Sequence, residues 1–233
     1  MDRKFVAIIP ARGGSKRIPG KNKAPINGAP MISYPIKAAL GSDVFESVVV
    51  TTDDPGIAEI ATGYGAEVPF KRSQNLSDDH TPTIPVIRDA ITQMGKENSD
   101  FIFCCIYPTS IFLNPAVIKR AADKAKLLSS GQFLISVTSY PYPIQRALAR
   151  NDSDLYHFIQ PEYSQTRSQD LPETFHDAAQ FYWGTASTWL AKDNVFENAL
   201  GIHIENSDVQ DIDTPEDLVR AEMILKLREL DAD

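Results

Sequence analysis

Residues 5–22 read FVAIIPARGGSKRIPGKN. Phe5 to Ile9 is an apolar, β-branched run without a strict period of two, as a strand buried on both faces requires. It empties directly into Pro10–Asn22, which carries four cations (Arg12, Lys16, Arg17, Lys21) and three glycines. In open α/β sheets the ligand crevice lies beyond the carboxyl ends of the strands, so this loop stands where a ligand is expected. Gly13 and Gly14 would let backbone N–H groups approach an anion, and the cations would supply charge that water cannot match in a closed site. A nucleotide triphosphate, a nucleic-acid backbone and plain solvent are the three readings of such a loop. It is not a P-loop: Gly14 and Gly20 enclose five residues, Asn22 follows Lys21, and Pro25 breaks any helix. Nor is there a G-x-G-x-x-G.

Outward from that stretch, short apolar runs alternate with helical patterns. SVVVT (47–51), FIFCCIY (101–107), FLISV (133–137) and QFYW (180–183) read as further strands. PMISYPIKAAL reads as a helix opening at Pro30, with Pro35 as a local cost and a kink. DPGIAEIATGYG has Asp54 as cap and Pro55 at its first position, and closes at Gly63 or Gly65. TIPVIRDAITQM, NPAVIKRAADKAKLLSSG and TPEDLVRAEMILKLREL complete the helices. The alternation predicts one α/β domain over 1–233 with a mainly parallel sheet. Residues 139–177 are the exception. They are rich in Pro, Tyr, Gln and charge, with no sustained period, which predicts an inserted lid, arm or partner contact.

The formal net charge of −8 argues against nucleic acid and against an anionic membrane as partners, and leaves one small anion as the loop's target. No apolar run approaches a membrane span. Cys104 and Cys105 are adjacent, so on a strand they point to opposite faces and cannot bridge. Two unpaired thiols, and an N-terminus that passes from MDRK straight into FVAII, predict a cytoplasmic protein.

IIPARGGSKRIPGKN resembles the nucleotide loop of the cytidylyltransferases that activate nine-carbon sialic-type sugars as CMP conjugates. VVVTTDD, AEVPFKRSQNLSDD, YPTS and QDIDTPEDL are similar to later stretches of the same family. FCCIY, PIQRAL and RSQDLPETFHDAAQFYWG look most like the branch that handles pseudaminic acid. The resemblance implies a three-layer, Rossmann-like nucleotidyltransferase fold with a mainly parallel central sheet and an inserted dimerisation arm. It implies CTP and a nine-carbon 2-keto sugar acid as substrates, Mg²⁺ as cofactor, and a homodimer. Neuraminic or legionaminic acid is the alternative sugar, and a nucleotide-binding regulator without turnover the alternative class.

Residue by residue, the resemblance places Arg12, Gly13, Ser15 and Lys16 on the triphosphate, Lys21 on the α-phosphate and Asn22 beside it. A fixed cation at the α-phosphate would favour the transition state, where charge builds on the equatorial oxygens. Arg72 and the Ser77–Thr83 turn match the segment that reads cytosine and ribose, with Ser77, Thr81 and Thr83 all open as the reading hydroxyl. A surface salt bridge is the alternative for Arg72. Arg167 aligns with an arginine that holds the sugar carboxylate from the neighbouring subunit; a dimer salt bridge is its alternative. Gln145 stands where some sialic-acid enzymes have lysine, with Arg146 beside it. Tyr107 stands where that branch has glutamine near the sugar.

Asp211 and Asp213 lie two apart in what reads as an extended run, so both carboxylates can face one cation. Mg²⁺ prefers a few carboxylates together with water and phosphate oxygens, which suits a metal shared with a nucleotide. Helix capping competes for these residues, but Thr214 can cap alone, with Asp217 closing a capping box. Either a metal or Asp211 could take the proton of the attacking sugar hydroxyl. Asp53 and Asp54 are accounted for by a helix start. Tyr182 and Trp183 read as sheet core, and His176–Asp177 as a structural pair.

Overall fold

A computed structural model describes residues 3–230. The opening apolar run forms β1 (Phe5–Pro10), and its loop ends in a 3-10 turn at Lys21–Lys23. A tight hairpin follows, β2 (Pro25–Ile26) and β3 (Ala29–Pro30), and then α1 (Ser33–Gly41). The helix therefore starts three residues after the expected Pro30. Pro35 falls in its first turn, where a missing N–H costs nothing, so no kink is needed.

Next come β4 (Ser47–Thr51), α2 (Pro55–Gly63), α3 (Thr83–Gln93), β5 (Ile102–Ile106), α4 (Pro115–Ala125) and β6 (Leu134–Ser139). The chain continues through β7 (Leu148–Arg150), β8 (Tyr156–Phe158), β9 (Phe175–Thr185), α5 (Ala186–Ala191), β10 (Leu200–His203) and α6 (Pro215–Leu230). The central sheet has the order β10-β6-β9-β5-β1-β4. Its β1–β4, β1–β5 and β6–β10 pairs are parallel, and only β9 runs against its neighbours.

Alternate residues of each strand feed two cores, which makes the sheet the middle of three layers. Ala7, Ile9 and Cys104 meet Ile36, Ile57 and Ile118 of α1, α2 and α4. Val6, Ile8 and Cys105 meet Ile87, Ile91 and Trp189 of α3 and α5. The adjacent cysteines thus lie in different cores, both buried and free. A third, smaller cluster joins Ile18 of the cationic loop to Phe112, to Ile212 and to Ala221 of α6. That cluster is how a segment more than 190 residues downstream is fastened beside the first loop.

Two expectations change. QFYW is part of the second half of an eleven-residue strand, which begins inside the stretch read as unpatterned. Residues 139–177 are not wholly irregular either, because β7 and β8 pair as a short antiparallel hairpin. The aspartates at 211 and 213 lie in a segment that is neither helix nor strand. Among the described residues no helix is long and apolar enough to cross a membrane.

Candidate active site

The strand order reverses around β1, with β4 on one side and β5 on the other. Beyond the carboxyl ends of these strands opens a cavity of about 630 Å³. One wall is the cationic loop, shaped by Gly20 at φ 65°, a left-handed turn that suits glycine and starts the 3-10 turn carrying Lys21. Asn22 is buried there. Its side-chain amide donates to the Arg12 carbonyl at 2.9 Å, and its own carbonyl accepts from Ile32 N–H at 3.1 Å.

Arg12, Ser15, Lys16, Lys21 and Asn22 all face the cavity. The cations are held by carboxylates. Asp79 accepts from Arg12 at 2.5 Å and also pairs with Lys16. Both cations hold the Asp79 carboxyl below its ordinary range, Lys16 most strongly. Lys21 donates to the Ile212 carbonyl at 2.6 Å and lies 3.3 Å from Asp213, which also pairs with Arg17 at 2.9 Å. Gly13 behaves differently from expectation: its N–H is turned away to Asp53 at 3.0 Å. What its lack of a side chain permits is packing, since an added Cβ would lie 2.8 Å from Cβ of Asp54. At Gly14 a side chain would meet open space.

Arg72 is not on the surface. Its side chain is 3% exposed, and its partner is Asp53 at 3.6 Å. Burial lowers its pKa from the ordinary arginine value, with Asp53 opposing that shift. Nε and Nη2 find no hydrogen-bond partner among the described residues, although Arg72 lines the cavity. Buried donors without partners are expensive, so a ligand carbonyl or ring nitrogen would be favoured there. Thr81 and Thr83 reach the cavity. Ser77 does not line it; its hydroxyl donates back to the Ser73 carbonyl.

Across from the loop, Tyr107 follows β5, and its hydroxyl lies 2.8 Å from Thr83 Oγ1. Burial, chiefly, pushes its pKa up to about 12, so it stays protonated. Tyr182 packs edge-on against Tyr107 and donates to Asp177. All three line the cavity, and Tyr182 is at the same time sheet core as expected, buried in the cluster of Val6 and Ile8. Asp177 reaches it through a bulge: two steps along β6, from Ile135 to Val137, span five along β9, from Tyr182 back to Asp177. Ala179 sits in the bulge at φ 49° with its N–H on Asp177, while Ser136 Oγ accepts from Gln180 and Phe181 in place of ladder bonds. Bulges commonly re-aim side chains beside active sites.

Asp211 and Asp213 flank the buried Ile212, so both carboxylates border the cavity. Asp211 remains open to solvent, yet the protein around it displaces hydration and raises its pKa; Asp213 adds repulsion and Lys21 offsets part of it. Asp211 has no ion pair among the described residues. Two neighbouring carboxylates beside the cationic loop have the hard oxygen donors that a divalent cation such as Mg²⁺ takes. Capping of α6 is done by Thr214, whose hydroxyl accepts from Asp217 N–H at 3.2 Å while Asp217 accepts from Thr214 N–H at 2.8 Å.

Three predicted sugar-side residues, between β6 and β9, are elsewhere. Gln145 is buried against the Pro172 carbonyl, Arg146 donates to Ser168, and Arg167 is exposed, 3.8 Å from Asp170. None of the three lines this chain's own cavity.

A cytidylyltransferase family model matches residues 6–226. The pseudaminic acid cytidylyltransferase of Campylobacter jejuni serotype O:2 is 40% identical over 226 residues, covering 96% of this chain and 97% of that one. The CMP-N,N'-diacetyllegionaminic acid synthase of Legionella pneumophila is 31% identical, over 97% and 98%. Among solved structures, a CMP:2-keto-3-deoxy-manno-octonic acid synthetase complexed with CTP superposes with a TM-score of 0.71, covering 97% of this chain and 99% of that one. Its 16% identity speaks for the fold alone.

Proposed function

From the membership of this chain in the cytidylyltransferase family, we propose that it activates pseudaminic acid with CTP, giving CMP-pseudaminate and pyrophosphate. The observation that carries the sugar assignment is the near-complete, 40% identical match to a pseudaminic acid cytidylyltransferase. The cavity supports the reaction, because loop cations, a buried guanidinium with free donors and two carboxylates converge on it.

In this reading Arg12, Ser15 and Lys16 bind the triphosphate, with Gly13 shaping the loop around it. Lys21 and Asn22 stand at the α-phosphate. Arg72, with Thr83 or Thr81 in place of the outlying Ser77, reads the pyrimidine end. The anomeric hydroxyl of the sugar acid attacks the α-phosphorus. The new oxygen–phosphorus bond forms as the bond to the bridging oxygen breaks, and pyrophosphate leaves. Lys21 neutralises charge on the equatorial oxygens, an effect worth about a hundredfold or more in rate for a single fixed donor. Asp211, which has no ion-pair partner among the described residues, takes the hydroxyl's proton in this reading. Asp211 and Asp213 would hold Mg²⁺, which when bound screens the phosphates and lowers the pKa of the attacking hydroxyl.

Tyr107 lies at the sugar end. Gln145, Arg146 and Arg167 act there only across a twofold, so the arm is read as a contact that completes the partner's site in a homodimer. We place the protein in the cytoplasm, where its two buried free thiols would stay reduced.

The test is pyrophosphate release from CTP and Mg²⁺ with pseudaminic, N-acetylneuraminic or legionaminic acid. Turnover on pseudaminic acid, lost in Lys21→Ala, supports the reading. Turnover on another acid alone would overturn the sugar assignment, and CTP binding without turnover on any would point to a regulator.

A further inference from the structure

The two ends of the proposed nucleotide site meet at one residue that the reaction itself does not use. Asp53 stands just past the carboxyl end of β4, in the step to α2. Its Oδ1 accepts from Gly13 N–H at 3.0 Å and lies 3.6 Å from Nη2 of Arg72. One carboxylate oxygen therefore touches the first turn of the phosphate loop and the guanidinium at the base end. Both neighbours are otherwise constrained. Gly13 is wedged against Asp54, and Arg72 N–H donates to the Thr52 carbonyl at 2.9 Å. The Arg72 side chain is buried with Nε and Nη2 without a hydrogen bond among the described residues, and Asp53 is the carboxylate that pairs with it, Asp89 adding a weaker attraction.

We propose that Asp53 is a positioning residue that sets the spacing between the triphosphate loop and Arg72, so that a pyrimidine triphosphate is read as a single unit. The inference rests on the CTP reading above. Its two contacts separate by chemistry. Asn at 53 keeps an oxygen for Gly13 N–H but removes the charge facing Arg72, whereas Ala removes both. A residue that merely neutralised a buried arginine would change stability and leave nucleotide choice alone.

The experiment titrates CTP and UTP into wild type, Asp53→Asn and Asp53→Ala, alongside hydrogen exchange over residues 11–16 of the nucleotide-free proteins. Asp53→Asn is expected to weaken CTP by about ten- to a hundredfold, as for loss of a charged contact, and to shrink the preference for CTP over UTP. Its loop protection should stay near wild type, and Asp53→Ala should lose that too. Because a lone buried arginine can unfold the chain, the same comparison is made in Arg72→Gln, where the charge is gone. There Asp53→Asn should change CTP affinity less than about threefold, a non-additivity expected only if the two act together. CTP affinity and CTP:UTP preference within twofold of wild type in Asp53→Asn would overturn the proposal, whatever the melting temperature does. Failure of wild type to bind either nucleotide would sink the CTP reading instead, and exchange in the free protein would still decide whether Asp53 holds the loop.

Discussion

Asp79 occupies the space between Arg12 and Lys16, the two cations proposed for the triphosphate. An incoming phosphate must displace that carboxylate, so part of its binding free energy goes to breaking existing pairs. Asp79→Asn should therefore tighten CTP binding several-fold, by analogy with other charge-assisted contacts, and steepen its salt dependence. Titration at two salt concentrations checks this; weaker binding would show that Asp79 helps to hold the nucleotide. Tyr107 makes a separate prediction. Its hydroxyl bonds to Thr83, and its pKa of about 12 keeps it protonated through the physiological range. Tyr107→Phe should raise KM for the sugar acid more than KM for CTP, which it reaches only through Thr83, and no limb of the pH–rate profile below about pH 10 should shift with it. A change in KM for CTP alone would move Tyr107 to the nucleotide.

At the level of elements, α2 illustrates how a cap can be read from local sequence. Asp54 accepts from Ile57 N–H at 2.9 Å, with Pro55 following at the first position. Lys23 adds an ion pair at 2.8 Å that the local pattern does not contain. Asp54→Ala should cost about 0.5–2 kcal/mol in urea unfolding, the range for a lost N-cap. The Asp54 carboxyl is held below its ordinary pKa, first by Lys23. A carboxyl lowered in the folded state stabilises above its unfolded pKa, near 4, and that contribution fades as pH falls through the lowered value. The difference between wild type and Asp54→Ala should accordingly be full at pH 7 and shrink below about pH 4. A gap that persists undiminished at low pH would mean packing rather than charge. The β9 bulge is the contrasting element. Nothing local in FHDAAQFYW marks it, because it exists only where β9 meets β6 and Ser136 supplies a hydroxyl in place of the ladder.

Across the whole molecule, the stretch between β6 and β9 exposes Tyr142, Leu148, Leu155, Tyr156 and Ile159. Apolar side chains grouped in this way suit a protein contact, and the proposed one is a second copy of this chain. If Arg167 serves the neighbour's cavity, Lys21→Ala and Arg167→Ala should each be inactive alone and complement each other when co-expressed. Random pairing would restore about a quarter of wild-type activity, since half the dimers are mixed and each holds one intact site. Lack of complementation, or a monomer at assay concentration, would place Arg167 outside catalysis.

The alternating runs and the Gly13–Lys21 loop were enough to read a mainly parallel α/β sheet with a ligand loop past its first strand, because burial period and loop chemistry are local properties. The Asp54 and Thr214 caps were legible for the same reason. The sequence by itself also paired Asp211 with Asp213. Only the tertiary structure brought that pair to Lys21 and Arg17, through the small core of Ile18, Phe112 and Ile212. It buried Arg72, turned Gly13 N–H onto Asp53, and carried Asp177 and Tyr182 to the cavity wall. These are contacts across many residues of chain. No local pattern encodes them, because they are set by which strands lie side by side and by where each one ends.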